Sequence, residues 1–219
     1  ILIMKKLGLM LMVLGLAGVA KAQEDQKAKG ILDKMSEKYQ SIPAYKTNFV
    51  YQLRNKVENI DEKFSGEIMV KGEKYVLIMS DQEIYNDGKT IWTLLKDANE
   101  VNIDYYMPDE GDLSPNNIYA AYKKGYRYRW VENKKVGSRT LDVVELQPEN
   151  PKDPDKMFFK IILNIDNSDH TIHSWEMYDR GGNIFSYTIS GFNPAFQADD
   201  SFFEFNAAKY PNVEVVDLR

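Results

Sequence analysis

The sequence contains no cysteine and only two histidines. The first absence removes disulfides, thiolate nucleophiles and cysteine-ligated metals together, along with the cysteine that would let a bacterial envelope protein carry its own lipid. The second leaves His170 and His173, with Asp166 and Asp169 nearby, as the whole supply of imidazole. Residues three apart on a strand point to opposite faces, and structural zinc usually takes four ligands with cysteine among them. No metal site is therefore expected. A basic excess is missing as well: 28 Lys and Arg stand against 33 Asp and Glu, a formal net charge of -5. Without a phosphate-neutralising footprint, nucleic acid is not an expected partner. No G-x-S-x-G elbow, H-E-x-x-H helix, phosphate-binding glycine loop or dinucleotide fingerprint occurs, and no nucleophile-base pair can be named. The chain reads as a binder with no cofactor and no catalytic residue, not as an enzyme.

One thing present at the start is diagnostic. Met4, Lys5 and Lys6 precede the apolar run Leu7 to Ala20, which ends in Ala20-Lys21-Ala22. A positive n-region, a short apolar h-region and an A-x-A site are the parts of a signal peptide. The run falls short of the roughly 18 to 20 apolar residues of a membrane span. The expected organisation is a signal peptide over 1–22, cleaved after Ala22, and one domain over 23–219 in the periplasm. Ile1 to Ile3 lie before a plausible initiator, Met4. With 43% hydrophobic and 28% charged residues over its full length, the chain has material for a core and for solubility.

Along the mature chain the period changes once. From Glu24 to Ser41, Ala28, Ile31, Leu32, Met35 and Tyr39 recur at helical spacing, and Ser41 to Pro43 close that amphipathic helix. After Ala44, Phe49, Tyr51 and Leu53 alternate with polar or small neighbours, as do Phe64, Gly66, Ile68 and Val70, the mark of half-buried strands. Turns at Gly72-Glu73, Asn86-Asp87-Gly88 and Asp97-Ala98-Asn99 predict a meander of strands over Lys74–Ser80, Lys89–Leu95 and Glu100–Met107. Further strands are expected over 126–132, 140–146, 158–165, 171–178, 184–192, 202–206 and 213–218.

Ser114 as N-cap and Pro115 at N1 predict a short inserted helix carrying Ile118, Tyr119 and Tyr122. Asp109, Glu110 and Asp112 before it read as solvated surface. The run Tyr126-Arg127-Tyr128-Arg129-Trp130 places aromatics on one face, inward, and arginines on the other. The fold class is mostly β (α+β): a single strongly curved antiparallel sheet forming an incomplete β-barrel, with an N-terminal helix and a short inserted helix. Tyr75–Met79 and Phe158–Leu163 are apolar on both faces, which one packed face does not require. A ligand cavity and an ordinary packed interface account for this equally well.

Read in order, several segments resemble the periplasmic lipoprotein carrier family of the LolA type. Phe64-Ser65-Gly66-Glu67-Ile68-Met69-Val70-Lys71 looks like its second strand. Asn86-Asp87-Gly88-Lys89-Thr90-Ile91-Trp92 looks like its Asp-Gly-Lys turn and the apolar-aromatic pair that follows. Thr171-Ile172-His173 with Trp175, and Phe203-Glu204-Phe205 followed by Pro211-Asn212-Val213-Glu214-Val215, resemble its last strands. The resemblance implies a chaperone that holds the acyl chains of lipoproteins in an apolar cavity. Its partners would be acylated lipoproteins, an inner-membrane lipoprotein-releasing transporter and an outer-membrane acceptor. Ile118, Tyr119 and Tyr122 would form a movable lid, and Met69, Val76, Ile78, Trp92, Leu94, Phe159 and Ile161 would line the cavity. The same curved sheet would also suit an envelope lipid-binding or protein-interaction module, a stress sensor or an assembly factor. Two departures stand out. Gly72 follows Val70-Lys71 where the family places a lid-closing arginine, and the proline-rich stretch Pro148–Asp155 is long, as in a divergent carrier serving another lipid.

Overall fold

The computed structural model describes residues 16–107, 117–123, 125–153 and 156–219, with side chains from Gln26 onward, Ala121 excepted. The expected h-region up to residue 15, the Ser114-Pro115 cap and the acidic residues Asp109, Glu110 and Asp112 lie outside the described residues.

Helix α1 spans Leu16–Gln40. It begins before the expected Glu24, and its continuity runs through the expected cleavage site at Ala22. It ends where Ser41 N–H donates to the Glu37 carbonyl and Ser41 Oγ to the Lys38 carbonyl, just before Pro43. Its apolar stripe is the expected one: Ala28, Leu32, Met35 and Tyr39 are buried and Ile31 is packed beside them.

Twelve strands follow: β1 (Tyr45–Asn55), β2 (Ile60–Lys71), β3 (Lys74–Met79), β4 (Gln82–Asn86), β5 (Thr90–Leu95), β6 (Glu100–Tyr105), β7 (Tyr126–Val136), β8 (Arg139–Pro148), β9 (Phe158–Asp166), β10 (Ile172–Asp179), β11 (Ile184–Asn193) and β12 (Glu214–Asp217). They form one sheet in the order β12-β6-β5-β4-β3-β2-β1-β11-β10-β9-β8-β7. The sheet curves without closing into a barrel. Three details depart from the sequence reading. The short, polar β4 is an additional strand. Phe202–Asn206, read as a strand, instead holds part of a 3-10 turn over Asp200–Phe203. And β12 pairs with β6 in parallel, so the sheet is antiparallel except at that edge. At the Asp-Gly turn only Gly88 takes a positive φ, +90°. There the side chain of Asn86 accepts from Gly88 N–H, and that of Asp87 from Lys89 and Thr90 N–H, which closes the turn without a second left-handed residue.

Two covers lie on the sheet, one on each side. On the concave side α1 packs over β7–β10, where Leu32 and Met35 meet Val144, Leu146, Ile161, Leu163 and Ile165. On the convex side the segment between β11 and β12 crosses β1–β5. Its Phe203 is fully buried in a second apolar cluster with Met69 and Val76, against which Ile78, Tyr85 and Phe196 pack. Polar contacts fasten this strap. Tyr210 Oη donates to Glu83 at 2.6 Å beside Tyr85 Oη, and Asp200 binds Lys71 and Lys74 at 2.8 and 2.9 Å. The sequence-read alternation of β7 holds: Tyr126, Tyr128 and Trp130 join the concave core, while Arg129 pairs with Glu145 on the other side.

Candidate functional site

Beside α1, over β11, β1, β2 and β3, none of the described residues forms such a cover on the concave face. A hollow of about 320 Å³ opens there, lined by Phe49, Tyr51, Phe64, Leu77, Met79 and Tyr187, with Asp81 and Gln82 at its rim. That volume falls at the small end of ligand sites, which run roughly 300–1,000 Å³. Strand register builds its wall. Tyr187, Tyr51 and Phe64 stand opposite one another across β11, β1 and β2, and Phe49, Gly66 and Met79 across β1, β2 and β3. Gly66 is what lets the second row lie flat. A Cβ there would stand 2.4 Å from the Ile78 carbonyl oxygen and 2.9 Å from the Phe49 ring, so the aromatic ring rests on bare backbone. Tyr187 is fixed by stacking on Trp175 at 4.5 Å and 9°. Phe64 is 41% exposed, and the other wall residues apart from Phe49 are half-buried. The surface is apolar, and among the described residues nothing covers it.

The inserted segment closes on α1. Residues Ile118–Lys123 form a 3-10 helix. Ile118 is 1% exposed in the main core. Tyr119 stacks on Tyr39 at 5.3 Å and 7°, and Tyr122 Oη donates to Asp33 Oδ1 at 2.8 Å. Burial, and then the bond to Asp33, push the Tyr122 phenol well up. The Asp33 carboxyl is held below its ordinary value, chiefly by a hydrogen bond from Lys29, with Tyr122 adding to it. No arginine is involved. Gly72, in the family's arginine position, has φ +60°, a conformation that L side chains adopt rarely and at a cost.

The residues singled out from sequence divide across the sheet. Ile118, Tyr119, Tyr122 and Ile161 meet in or against the concave core. Met69, Val76 and Ile78 instead pack on the convex side under Phe203. Trp92 and Leu94 share that side, since Val76 stands opposite Tyr85 and Tyr85 opposite Trp92, and Ile78 opposite Glu83 and Glu83 opposite Leu94. Phe159 is 43% exposed beside Tyr178. A register shift between Tyr178 and Asp179 turns Phe158 inward in its place. The physical reason for the split is the strap: Phe203 covers Met69, Val76 and Ile78 on the convex side, so β3 is apolar on both faces. The concave wall, Phe49, Tyr51, Phe64, Leu77, Met79 and Tyr187, was not singled out. Its signal was the alternation of Phe49 with Tyr51 and of Phe64 with Gly66, which fixes the inward parity of β1 and β2 and, through pairing, of β3.

The histidines stay apart from this site. His170 sits in the β9–β10 turn at φ +60°. His173 is partly buried, and burial lowers its pKa. Asp166 is engaged by Arg139 at 2.8 Å and by Ser168. Among the described residues no group of three or more His, Cys, Asp or Glu could hold a metal ion.

Residues 19–147, more than half of the chain, match the family model described as outer membrane lipoprotein carrier protein LolA. The match ends in β8, so the likeness read into the last strands lies beyond it. No curated protein matches the chain. Among solved structures, an uncharacterized conserved protein from Thermus thermophilus superposes with a TM-score of 0.56 at 10% identity, covering 87% of this chain and 99% of that one. MucB superposes with a TM-score of 0.50 at 14% identity, covering 83% and 64%. A LolA superfamily protein from Nitrosomonas europaea has a TM-score of 0.44 and 13% identity, covering 81% and 97%. At these identities the likeness is one of fold.

Proposed function

The chain belongs to the outer membrane lipoprotein carrier protein LolA family, and from that premise we propose that its concave groove shelters the acyl chains of lipoproteins in the periplasm. An inner-membrane lipoprotein-releasing transporter would load it and an outer-membrane acceptor would unload it. One observation carries the reading: six large apolar side chains share the concave wall of β11, β1, β2 and β3 and border an open hollow. Burying hydrocarbon there is favourable by about 0.8 kcal/mol per methylene and needs no directional contact. Such binding holds many chains and releases them, which suits a carrier rather than a catalyst.

The 3-10 helix on α1 is the lid of this reading, held by Tyr122 and Asp33 in place of an arginine. Residues 1–22 would direct export and be removed from the mature protein. Among the described residues no helix is long and apolar enough to cross a membrane.

Mass spectrometry of the protein purified from the periplasm of expressing cells tests the proposal. The expected result is a co-purifying acylated peptide. An empty protein that retains a single polypeptide partner would overturn it in favour of a protein-interaction module built on the same sheet.

A further inference from the structure

The hollow is one-signed as well as apolar. Side chains alternate along each strand, so pairing assigns every charge on β1–β6 to one side of the sheet. Each lysine and arginine of these strands faces the convex side. Lys46 stands opposite Met69, and Lys63 opposite Gln52. Lys71 and Lys74 bind Asp200 of the strap, and Arg54 reaches Glu176 across β11. Lys96, just after β5, is drawn to Glu83 at 3.2 Å and to the Met79 carbonyl at 2.6 Å.

The concave side carries the opposite charge. Glu62 stands opposite Leu53, two residues from Phe64, and Glu100 stands opposite Leu95, itself opposite Gln82. Asp81 lines the hollow directly. The Glu62 charge reaches the wall, since burial first and that carboxylate second raise the pKa of the Tyr51 phenol. Among the described residues neither Glu62 nor Asp81 forms an ion pair, and both are exposed, Asp81 at the rim of the hollow. A cleft lined by one sign of charge focuses its field on whatever enters.

We infer that the occupant of this groove carries a positive charge at the head of its hydrocarbon chain. An amine-bearing amphiphile fits, and an anionic one is repelled. This rests on the hydrocarbon-binding reading above and adds the class of head group to it. The chain lies on Phe49, Leu77 and Met79, while the cation stands between Asp81 and Glu62.

The test is displacement of an apolar fluorescent dye from the full chain by three single-chain ligands below their micelle concentrations: hexadecyltrimethylammonium, monopalmitoylglycerol and palmitate. The expected order is cation, neutral, anion. The cation should lead the neutral ligand by about fivefold at low salt, as partly exposed charge pairs allow. That lead should shrink between about 0.01 and 1 M ionic strength. In the Glu62→Gln, Asp81→Asn double variant the ratio of cation to neutral affinity should fall toward one.

Equal affinities, or a preference for palmitate, would overturn the charge assignment while leaving hydrocarbon binding intact. No displacement by any of the three would overturn both. Two further pairs separate the sources of such a head group. Lysophosphatidylethanolamine against lysophosphatidylglycerol tests a lipid amine, and a palmitoylated peptide bearing Lys against one bearing Glu tests an acylated polypeptide. A preference for the cation-bearing member of either pair supports the inference and names the source; its absence from both overturns it.

Discussion

The two halves of the sheet solve the problem of covering apolar surface in opposite ways. Over β7–β10 the concave side is filled by α1, and the convex side is polar, with Asn164, Ser174, Glu176, Ser186 and Thr188 bordering a shallow depression. Over β1–β5 the strap fills the convex side, and the concave side keeps its hollow. The first half is an ordinary two-layer core. The second is a core turned inside out: its convex face is packed beneath the strap and its concave face borders the hollow. Apolar residues on both sides of a strand thus have two different causes, and a substitution separates them.

The largest effect is expected from neighbours on β3. Val76 is 1% exposed beneath the strap, so Val76→Asp buries an unpaired charge. It should cost more than about 3 kcal/mol in urea unfolding. Leu77 points the other way, into the hollow, and is half-buried. Leu77→Asp should change stability by no more than about 1 kcal/mol yet weaken apolar dye binding about tenfold, the equivalent of losing one side chain's worth of buried surface. Equal destabilisation by the two would erase the distinction between the halves.

A smaller effect sharpens the helix side. Tyr122→Phe removes one hydrogen bond to Asp33 and leaves the Tyr119 stack and Ile118 in place. With the Asp33 end of that bond open to water, the change should cost about 1 kcal/mol or less. The pH dependence has a definite sign. The folded pKa of Asp33 lies below its ordinary value, so its bonds stabilise above the unfolded carboxylate's pKa and are lost as pH falls through the depressed one. Stability measured across that acid range should depend less on pH in Tyr122→Phe than in the parent.

The smallest effect belongs to the strap. Hydrogen bonds from Lys71 and then Lys74 pull Asp200 from 3.8 down to about 2. This contact therefore helps at pH above the ordinary value and disappears as pH falls from 3.8 to about 2. The group is fully exposed, so the readout is local. Limited proteolysis of residues 196–210 should speed up across that window in the parent and be insensitive to it in Asp200→Asn.

Much of the fold was legible because single-faced elements declare their buried side. The stripe Ala28, Leu32, Met35, Tyr39 and the alternation of Phe49 with Tyr51 needed no knowledge of partners. Illegible were the positions whose environment is set by distant chain. The convex burial of Met69, Val76 and Ile78 depends on residues 196–203, more than a hundred positions away. Phe203 itself looks like a strand residue, because Phe202, Phe203 and Phe205 around Glu204 suit a pleated surface as well as a 3-10 turn. With both faces of β3 apolar, no periodicity could say which one meets the hollow. Family likeness suggested a cavity but drew the eye to the opposite parity of these strands. Aromatic spacing located the inserted helix, while its fastening to Asp33 joined residues 89 positions apart.

The strap also sets a timetable. Residues 196–210 are made after every strand they cover, so a growing chain presents Met69, Val76, Ile78 and Tyr85 to water, beside unpaired strand edges, until the strap itself emerges. Transiently exposed surface of that kind aggregates readily. A product truncated before residue 196 would keep every residue lining its hollow yet leave the convex cluster without Phe203, which makes the strap a quality gate for the strands made before it.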